Sequence, residues 1–423
     1  MSDPATPILN DSVGPGAVAG GLRGNRLREI IFVFLFAVLA PVSLLSPNAV
    51  VPLLLLAALG VLASTPLREV WRALPKPLAM AMGMLVAFGL LTTTWSIVPQ
   101  NSIHKALQLV ALFAAILLLI AWARLLTAPS RHRVGRWLSI GLVAGVGLVV
   151  VEAAAGGIVH HVLDDQPLHA MDALGRYKRG LVVLALVAGP AVYWLGGRFG
   201  WLAAGLMVVG VAVAAFLVHS GAGMAAILVG VIVSVFVVRF PAAGPRGLAL
   251  VLALLVLLAP MARLGPAQLP AETLEEIRAN AMYRISSAAH RLLIWQFVGE
   301  KIAERPLLGW GLDSSRAIPG GQGAVQGFSP LLPLHPHNAA LQLWLELGLL
   351  GGVLGAAIAV SVGLGAGRRI GAGSARAIAA GMTVSASVVA LLGFGIWQSW
   401  WISTLGLVAA CAVAVLPPRD EAR

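Results

Sequence analysis

The sequence Leu334-His335-Pro336-His337-Asn338 ends a long polar segment and leads directly into an apolar run. Two histidines and an asparagine therefore lie at the entrance of a predicted membrane helix. Across the chain, 59% of the residues are hydrophobic and only 11% are charged. In such a chain, we expect chemistry where titratable groups meet the boundary of the bilayer.

Apolar runs of similar length recur along the 423 residues, whose mean hydropathy is +0.91. About 20 apolar residues in a helix cross the ~30 Å hydrocarbon core of a bilayer, and a helix satisfies its own backbone hydrogen bonds there. We therefore predict an all-α polytopic membrane protein with about twelve transmembrane helices. The predicted spans are residues 29–46, 48–65, 77–94, 104–124, 136–156, 180–196, 199–218, 221–238, 246–262, 338–366, 375–394 and 396–416.

These spans divide the chain into five parts, of which one is a large extramembrane segment. The parts are a flexible cytoplasmic tail at residues 1–28, transmembrane helices 1–9 at 29–262, a helical outer loop domain at 263–336, transmembrane helices 10–12 at 337–416, and a cytoplasmic tail at 417–423. Only the segment 263–336 is long enough to fold outside the membrane.

Most of the Lys and Arg residues fall in alternate connections between the spans, as cytoplasmic loops require. This distribution predicts that both termini are cytoplasmic. It also accounts for the formal charge of +12 without a nucleic-acid partner. The other basic residues lie on the opposite, outer side, which normally avoids them. They are Lys105, a first-loop cluster of Arg176, Lys178 and Arg179, and seven residues in the segment 263–336.

The outer segment contains a helical pattern that starts after Pro270 and continues to about Glu304. Arg284 and Arg291 are seven residues apart, so they lie on one face of this helix. The Gly-rich sequence that follows lacks periodicity and predicts a loop. A single surface arginine more often forms a screened ion pair than a functional contact, but these two flank the segment that leads to His337.

The outer cations favour a phosphorylated amphiphile as ligand. Guanidinium groups form bidentate, charge-assisted hydrogen bonds to phosphate oxygens. The start of the tenth span, near Asn338, adds free backbone N–H groups that attract anions. A lipid pyrophosphate fits this description. The alternative for Arg176, Lys178 and Arg179 is that they extend towards the lipid headgroups.

His337 lies close to these arginines and to a helix N-terminus, so we expect its ring to be neutral at pH 7. A neutral imidazole beside a phosphate site can act as general base on a hydroxyl nucleophile. The alternative is a histidine that only caps the helix or bonds a loop carbonyl. Zinc binding by His335 and His337 is disfavoured because no cysteine or carboxylate cluster completes the ligand set. We expect no metal and no cofactor. Glu346, further along the helix, is expected to be paired within the bundle.

The same residues carry a family resemblance. His337-Asn338, nine residues, Gly348, two residues and Gly351 resemble the HNx9GxxG signature of the O-antigen ligase and polymerase superfamily, and the match is similar to its ligase branch. Three further motifs resemble this superfamily: Arg291-x-x-x-Trp295, the run Glu304–Gly311, and His219-Ser220-Gly221. The family often has Ser-Arg where this chain reads Ser220-Gly221. The first-loop cluster is then the expected second phosphate contact.

The resemblance implies a glycosyltransferase in the inner membrane of a Gram-negative bacterium, surrounded by membrane lipids, with its active site and outer loop facing the periplasm. It implies transfer of O-antigen glycan from undecaprenyl pyrophosphate to a sugar hydroxyl of the lipid A core. The transfer would be a single, inverting displacement without metal. An O-antigen polymerase or a protein O-oligosaccharyltransferase is the first alternative, and a membrane transporter is the second.

In this reading each candidate residue has a role. His337 is the expected base. Arg291, Arg284 and a first-loop cation are expected to stabilise the departing pyrophosphate, which Asn338 also contacts.

Overall fold

The computed structural model describes residues 15–164, 174–241, 245–264, 287–323 and 330–419. These ranges are mainly helical and contain no β-strand. The helices are α1 Pro15–Leu45, α2 Val50–Ser64, α3 Leu67–Ala73, α4 Lys76–Leu91, α5 Pro99–Ala123, α6 Ala128–Ala154, α7 Ile158–Asp164, α8 Lys178–Phe199, α9 Trp201–Leu217, α10 Gly221–Arg239, α11 Pro245–Leu257, α12 Ser287–Glu304, α13 Ala339–Arg369, α14 Ser374–Leu392 and α15 Ser399–Val415.

Each predicted span coincides with an apolar helix. Within the described ranges, nine helical segments are long and apolar enough to cross a membrane. Three further apolar helices, Trp201–Leu217, Arg246–Leu257 and Ser399–Val415, are shorter. The second of these is followed by a 3-10 turn at Ala259–Arg263 that contains a proline, which lacks the N–H group a longer helix needs. The predicted all-α polytopic membrane protein is confirmed.

Helix α1 begins at Pro15, well before the predicted first span at residue 29. Proline is favoured in the first turn of a helix because its fixed φ suits that position and its missing N–H is not needed there. The later half of the predicted flexible tail is thus helical. The apolar part of α1, Arg26–Leu45, forms the first span. Residues 1–14 lie outside the described part of the chain.

Two apolar clusters hold the helices together. The larger one joins most of the bundle, where α1 packs on α6, α8 on α9, α10 on α14 and α15 on α5. The smaller one fixes the outer helix α12 to the start of α13. Its buried members include Ile294 and Val298 from α12, and Leu341 and Leu345 from α13. Burial of these side chains positions the outer segment directly over the entrance to the tenth span.

Candidate active site

His337 lies in a tight turn immediately before α13. Its φ is +55°, a left-handed conformation that residues other than glycine rarely adopt. The turn is held from both sides, because Trp295 Nε1 of α12 donates to the Pro336 carbonyl at 2.9 Å and the His337 N–H donates to His335 Nδ1 at 3.1 Å. A non-glycine backbone held in this conformation by its neighbours suggests a functional position.

Asn338 is the N-cap of α13. Its backbone is extended, and its side-chain oxygen accepts the Leu341 N–H at 3.0 Å. The helix therefore starts at Ala339, and Pro336 lies two residues before the cap. The cap accounts for the amide oxygen of Asn338, so a contact with pyrophosphate would have to come from its amide nitrogen.

The ring of His337 is oriented by a backbone carbonyl. Nδ1 lies 2.8 Å from the carbonyl oxygen of Gly393, in the connection between α14 and α15 that we call the 393–398 loop. A carbonyl oxygen can only accept a hydrogen bond, so Nδ1 carries the proton. In the neutral ring the lone pair is then on Nε2. This is the tautomer that a general base requires when Nε2 faces its substrate.

His335 packs against His337 and accepts a hydrogen bond from its backbone. The centres of the two rings are 4.4 Å apart, and His335 accepts the His337 N–H. Burial, followed by the charges of His337, Arg316 and Arg291, lowers the pKa of His335 to about 3. His335 therefore stays neutral at physiological pH and acts as a hydrogen-bond acceptor for the His337 N–H.

Acidification is expected to destabilise this turn because His335 is buried in its neutral form. Its pKa is about 3 when folded and about 6.5 when exposed, so between these values the unfolded state binds more protons. The stability that His335 contributes is complete above pH 6.5 and falls towards pH 3, by about 2 kcal/mol at pH 5. Thermal unfolding in detergent at both pH 7 and pH 5 checks this. A His335→Gln variant should lose most of the difference, and an equal acid shift in both proteins would contradict it.

Helix α13 is interrupted at Gly348, where φ is +61° and ψ is −155°. The break frees carbonyl groups that the segment after α12 uses. The Leu345 carbonyl accepts the Trp310 N–H at 3.0 Å, and the Glu346 carbonyl accepts the Gly311 N–H at 2.8 Å. The first glycine of the HNx9GxxG motif is thus the place where the outer loop is attached to the tenth span.

Glu346 is completely buried and holds several segments together. Its carboxylate accepts hydrogen bonds from four donors: the Asp313 N–H, the Ser315 hydroxyl, the Gln342 amide at 2.9 Å and the Trp397 indole at 2.6 Å. Gln342 in turn accepts the Ile396 N–H at 2.9 Å. A buried carboxylate needs such donors to offset its desolvation. Glu346 therefore anchors both the outer loop and the 393–398 loop, as its predicted pairing within the bundle requires.

Positive charge acts on the histidine turn. The charges of Arg316 and Arg291 contribute to the lowered pKa of His335, so both guanidinium groups are within electrostatic range of its ring. Burial lowers the pKa of Arg291, yet arginine remains charged. No carboxylate among the described residues pairs with Arg291. The contact of Arg291 with a phosphate stays a prediction.

Arg179 of the first-loop cluster contacts residues that lead to the histidine turn. Its guanidinium lies 5.8 Å from the centre of the Trp400 ring. Trp400 Nε1 donates to Gln398 Oε1 at 3.0 Å, and the amide nitrogen of Gln398 lies 3.1 Å from His335 Nε2. A short series of contacts thus joins Arg179 to the site.

Arg176 and Lys178 make other contacts in the described part of the chain. Arg176 donates to the Leu45 carbonyl at 3.1 Å, and its guanidinium lies 5.6 Å from the centre of the Tyr177 ring. The carbonyl of Lys178 accepts the Ser220 hydroxyl at 3.3 Å. These contacts direct Arg176 towards the end of α1. Arg284, the second arginine predicted to stabilise pyrophosphate, lies outside the described residues.

Sequence reasoning missed two residues near the site, Arg316 and Asp313. Arg316 lies in the Gly-rich loop, where no periodicity marks a face. Asp313 has a φ of +59° and lies 3.9 Å from the Lys105 ammonium. Burial raises the pKa of Asp313, while Lys105 and Arg316 oppose the rise. Lys105 was notable only as an outer-side cation, and its proximity to Asp313 could not be read from the chain.

Comparison with known proteins connects this site to a family. Residues 206–356 match the family profile described as O-Antigen ligase. Proteins named "Putative polysaccharide ligase" from Rickettsia conorii, Rickettsia prowazekii and Rickettsia bellii are 38%, 40% and 37% identical over 122, 121 and 123 residues. These alignments cover 28%, 27% and 28% of this chain, and 29%, 29% and 30% of the relatives. The matched profile region contains the HNx9GxxG motif, and the resemblance read from the sequence is confirmed.

Proposed function

We propose a specific glycosyl transfer, on the premise that residues 206–356 match the family profile described as O-Antigen ligase. The donor is a glycan linked to undecaprenyl pyrophosphate, and the acceptor is a sugar hydroxyl of the lipid A core. The product is lipopolysaccharide. The site faces the periplasm from the inner membrane of a Gram-negative bacterium, and both termini are cytoplasmic.

The observation that carries this proposal is the orientation of His337. Its Nδ1–H bond to the Gly393 carbonyl leaves the lone pair of the neutral ring on Nε2, in a turn on which the charges of Arg291 and Arg316 also act. A proton acceptor next to a phosphate-binding surface is what a displacement at a sugar pyrophosphate needs.

The proposed reaction is one displacement at the anomeric carbon. The acceptor hydroxyl transfers its proton to His337 Nε2 while its oxygen forms a bond to the anomeric carbon. The bond from that carbon to the phosphate oxygen breaks, and its electron pair leaves with the pyrophosphate. Arg291 and Arg179 stabilise this developing charge, with Arg284 as a further candidate. Attack from the opposite face inverts the anomeric configuration, and the arginines supply positive charge without a metal.

Arg291→Lys is expected to lower kcat/KM for the lipid-linked donor by about tenfold or more. Lysine keeps the charge but cannot form the planar, bidentate contact that guanidinium makes with phosphate. Kinetics in proteoliposomes with varied donor concentration measure the effect. Glu300→Gln on the exposed side of α12 serves as control, because it changes the charge of the same helix without facing the turn. Unchanged kinetics for Arg291→Lys would remove Arg291 from the site.

Reconstitution with defined substrates tests the function itself. The purified chain in proteoliposomes receives a polyprenyl-pyrophosphate-linked glycan, EDTA, and either lipid A core, a protein acceptor or no acceptor. Glycan transfer to lipid A core with an inverted anomeric centre is expected. Chain growth on the lipid carrier would indicate a polymerase, and transfer only to protein an oligosaccharyltransferase. Movement of intact donor across the bilayer without transfer would indicate a transporter. Any of these three outcomes contradicts the ligase proposal.

A further inference from the structure

A polar cleft of about 290 Å³ lies at the start of α5. Its volume is just below the roughly 300–1,000 Å³ typical of ligand sites, so it suits a ligand of about one sugar unit. Four of its lining residues are at positions i, i+3, i+4 and i+7 of α5 and therefore share one helical face. The lining residues are Asn101, His104, Lys105, Gln108 and Asp313.

The two charged residues of the cleft retain hydrogen-bonding capacity. Lys105 Nζ donates to Gln108 Oε1 at 3.0 Å and to the Trp397 carbonyl at 3.3 Å. Asp313 is 3.9 Å away, too far for a charge-assisted hydrogen bond. One ammonium donor and the Asp313 carboxylate oxygens consequently have no hydrogen-bond partner among the described residues. The Asp313 side chain is 30% exposed, so a ligand can reach it.

The chemistry of this lining favours a carbohydrate over a phosphate. Sugar hydroxyl groups donate and accept hydrogen bonds at once, and the cleft offers both partners. Its donors are an ammonium and two side-chain amides, its acceptors are a carboxylate and the amide oxygens, and the His104 ring can donate and accept. A phosphate would bring negative charge towards Asp313, which disfavours it. In this respect the cleft differs from the histidine turn, where Arg291 has no carboxylate partner among the described residues.

The cleft and the candidate base share a structural element. The 393–398 loop accepts a hydrogen bond from His337 at Gly393 and one from Lys105 at Trp397. The buried carboxylate of Glu346 binds both the Trp397 indole and the Asp313 N–H. One rigid group of contacts therefore sets the position of the cleft relative to His337.

We propose that this cleft binds the saccharide of the acceptor, so that donor and acceptor occupy two separate surfaces beside His337. The inference rests on the proposed glycosyl transfer and adds to it the location and the chemistry of the acceptor. The acceptor saccharide hydrogen-bonds Asp313, Lys105 and the amides of α5. The pyrophosphate of the donor contacts the arginines of the histidine turn.

Direct binding tests the cleft without requiring turnover. The probe is soluble core oligosaccharide released from lipid A, and its binding to the full chain in nanodiscs is measured by saturation-transfer NMR. Asp313→Asn keeps a residue that tolerates the left-handed backbone and removes the carboxylate. Gln108→Leu changes an exposed position. Each is expected to weaken binding and to raise the acceptor KM by about tenfold, the effect of losing one good hydrogen bond, with the donor KM unchanged.

The control is Glu300→Gln, which should bind the oligosaccharide as the wild type does. The proposal is overturned if both cleft variants bind normally. It is also overturned if vesicles of phosphatidylglycerol displace the oligosaccharide from the wild type, since the site would then recognise a lipid headgroup. A third outcome separates the two proposals. If the wild type binds the oligosaccharide, both variants lose this binding, and the wild type transfers no glycan, the cleft is supported and the proposed function is contradicted.

Discussion

Replacing His337 by asparagine is expected to lower kcat for glycan transfer by about 100- to 10,000-fold, the range that a positioned general base contributes. Asparagine tolerates the left-handed φ of +55° but offers no basic nitrogen. The fold should therefore be retained while proton removal is lost. Steady-state transfer in proteoliposomes, with thermal unfolding measured on the same samples, separates the two effects.

His132→Asn provides the matched control. This exposed histidine lies near the start of α6, where its ring packs 5.3 Å from that of Trp194. Its replacement should leave kcat unchanged. If a folded His337→Asn protein kept more than about a tenth of the activity, a role of His337 as general base would be wrong.

Gly348→Ala is expected to have the largest effect on stability. A φ of +61° with ψ of −155° is accessible essentially to glycine alone, and such strain costs about 1–3 kcal/mol. An added Cβ would lie 2.4 Å from the backbone carbon and oxygen of Leu307, which cannot rotate away. The loss should exceed the cost of the backbone conformation. It would appear as a lower thermal midpoint and as poor recovery of folded protein.

Gly365→Ala, later in the same helix, is the control for this change. A Cβ at Gly365 meets no atom within 4 Å, and alanine has the higher helix propensity. This variant should be as stable as the wild type or slightly more so. Equal thermal midpoints for Gly348→Ala and Gly365→Ala would contradict the account of the helix break.

The helices could be predicted because their signals are local. Each predicted span is a run of apolar residues that coincides with a helix, and nine helical segments in the described ranges are long and apolar enough to cross a membrane. The break at Gly348 could not be predicted in this way. The glycine motif marked the position, but the reason for it lies in the backbone of Leu307 and the residues after it, some 40 positions earlier in the chain. Only the folded chain brings the two segments together.

The same distinction holds for the candidate site. His337 and Arg291 could be selected from charge, position and family motif. The tautomer of His337 depends on the carbonyl of Gly393, which no pattern in the sequence connects to it. Arg179 became the favoured first-loop cation only through its contact with Trp400. Long-range contacts of this kind set the geometry of the site. They produce no periodic pattern in the sequence from which they could be predicted.

The most direct test is a single-turnover measurement with donor already bound. Wild-type protein and the His337→Asn variant, each saturated with a polyprenyl-pyrophosphate-linked glycan in proteoliposomes, are mixed with acceptor, and glycan transfer is followed in time. Our account predicts equal donor affinity for both proteins, with transfer by the variant at least about 100-fold slower. Equal transfer rates, or no transfer by the wild type under any acceptor condition, would contradict it.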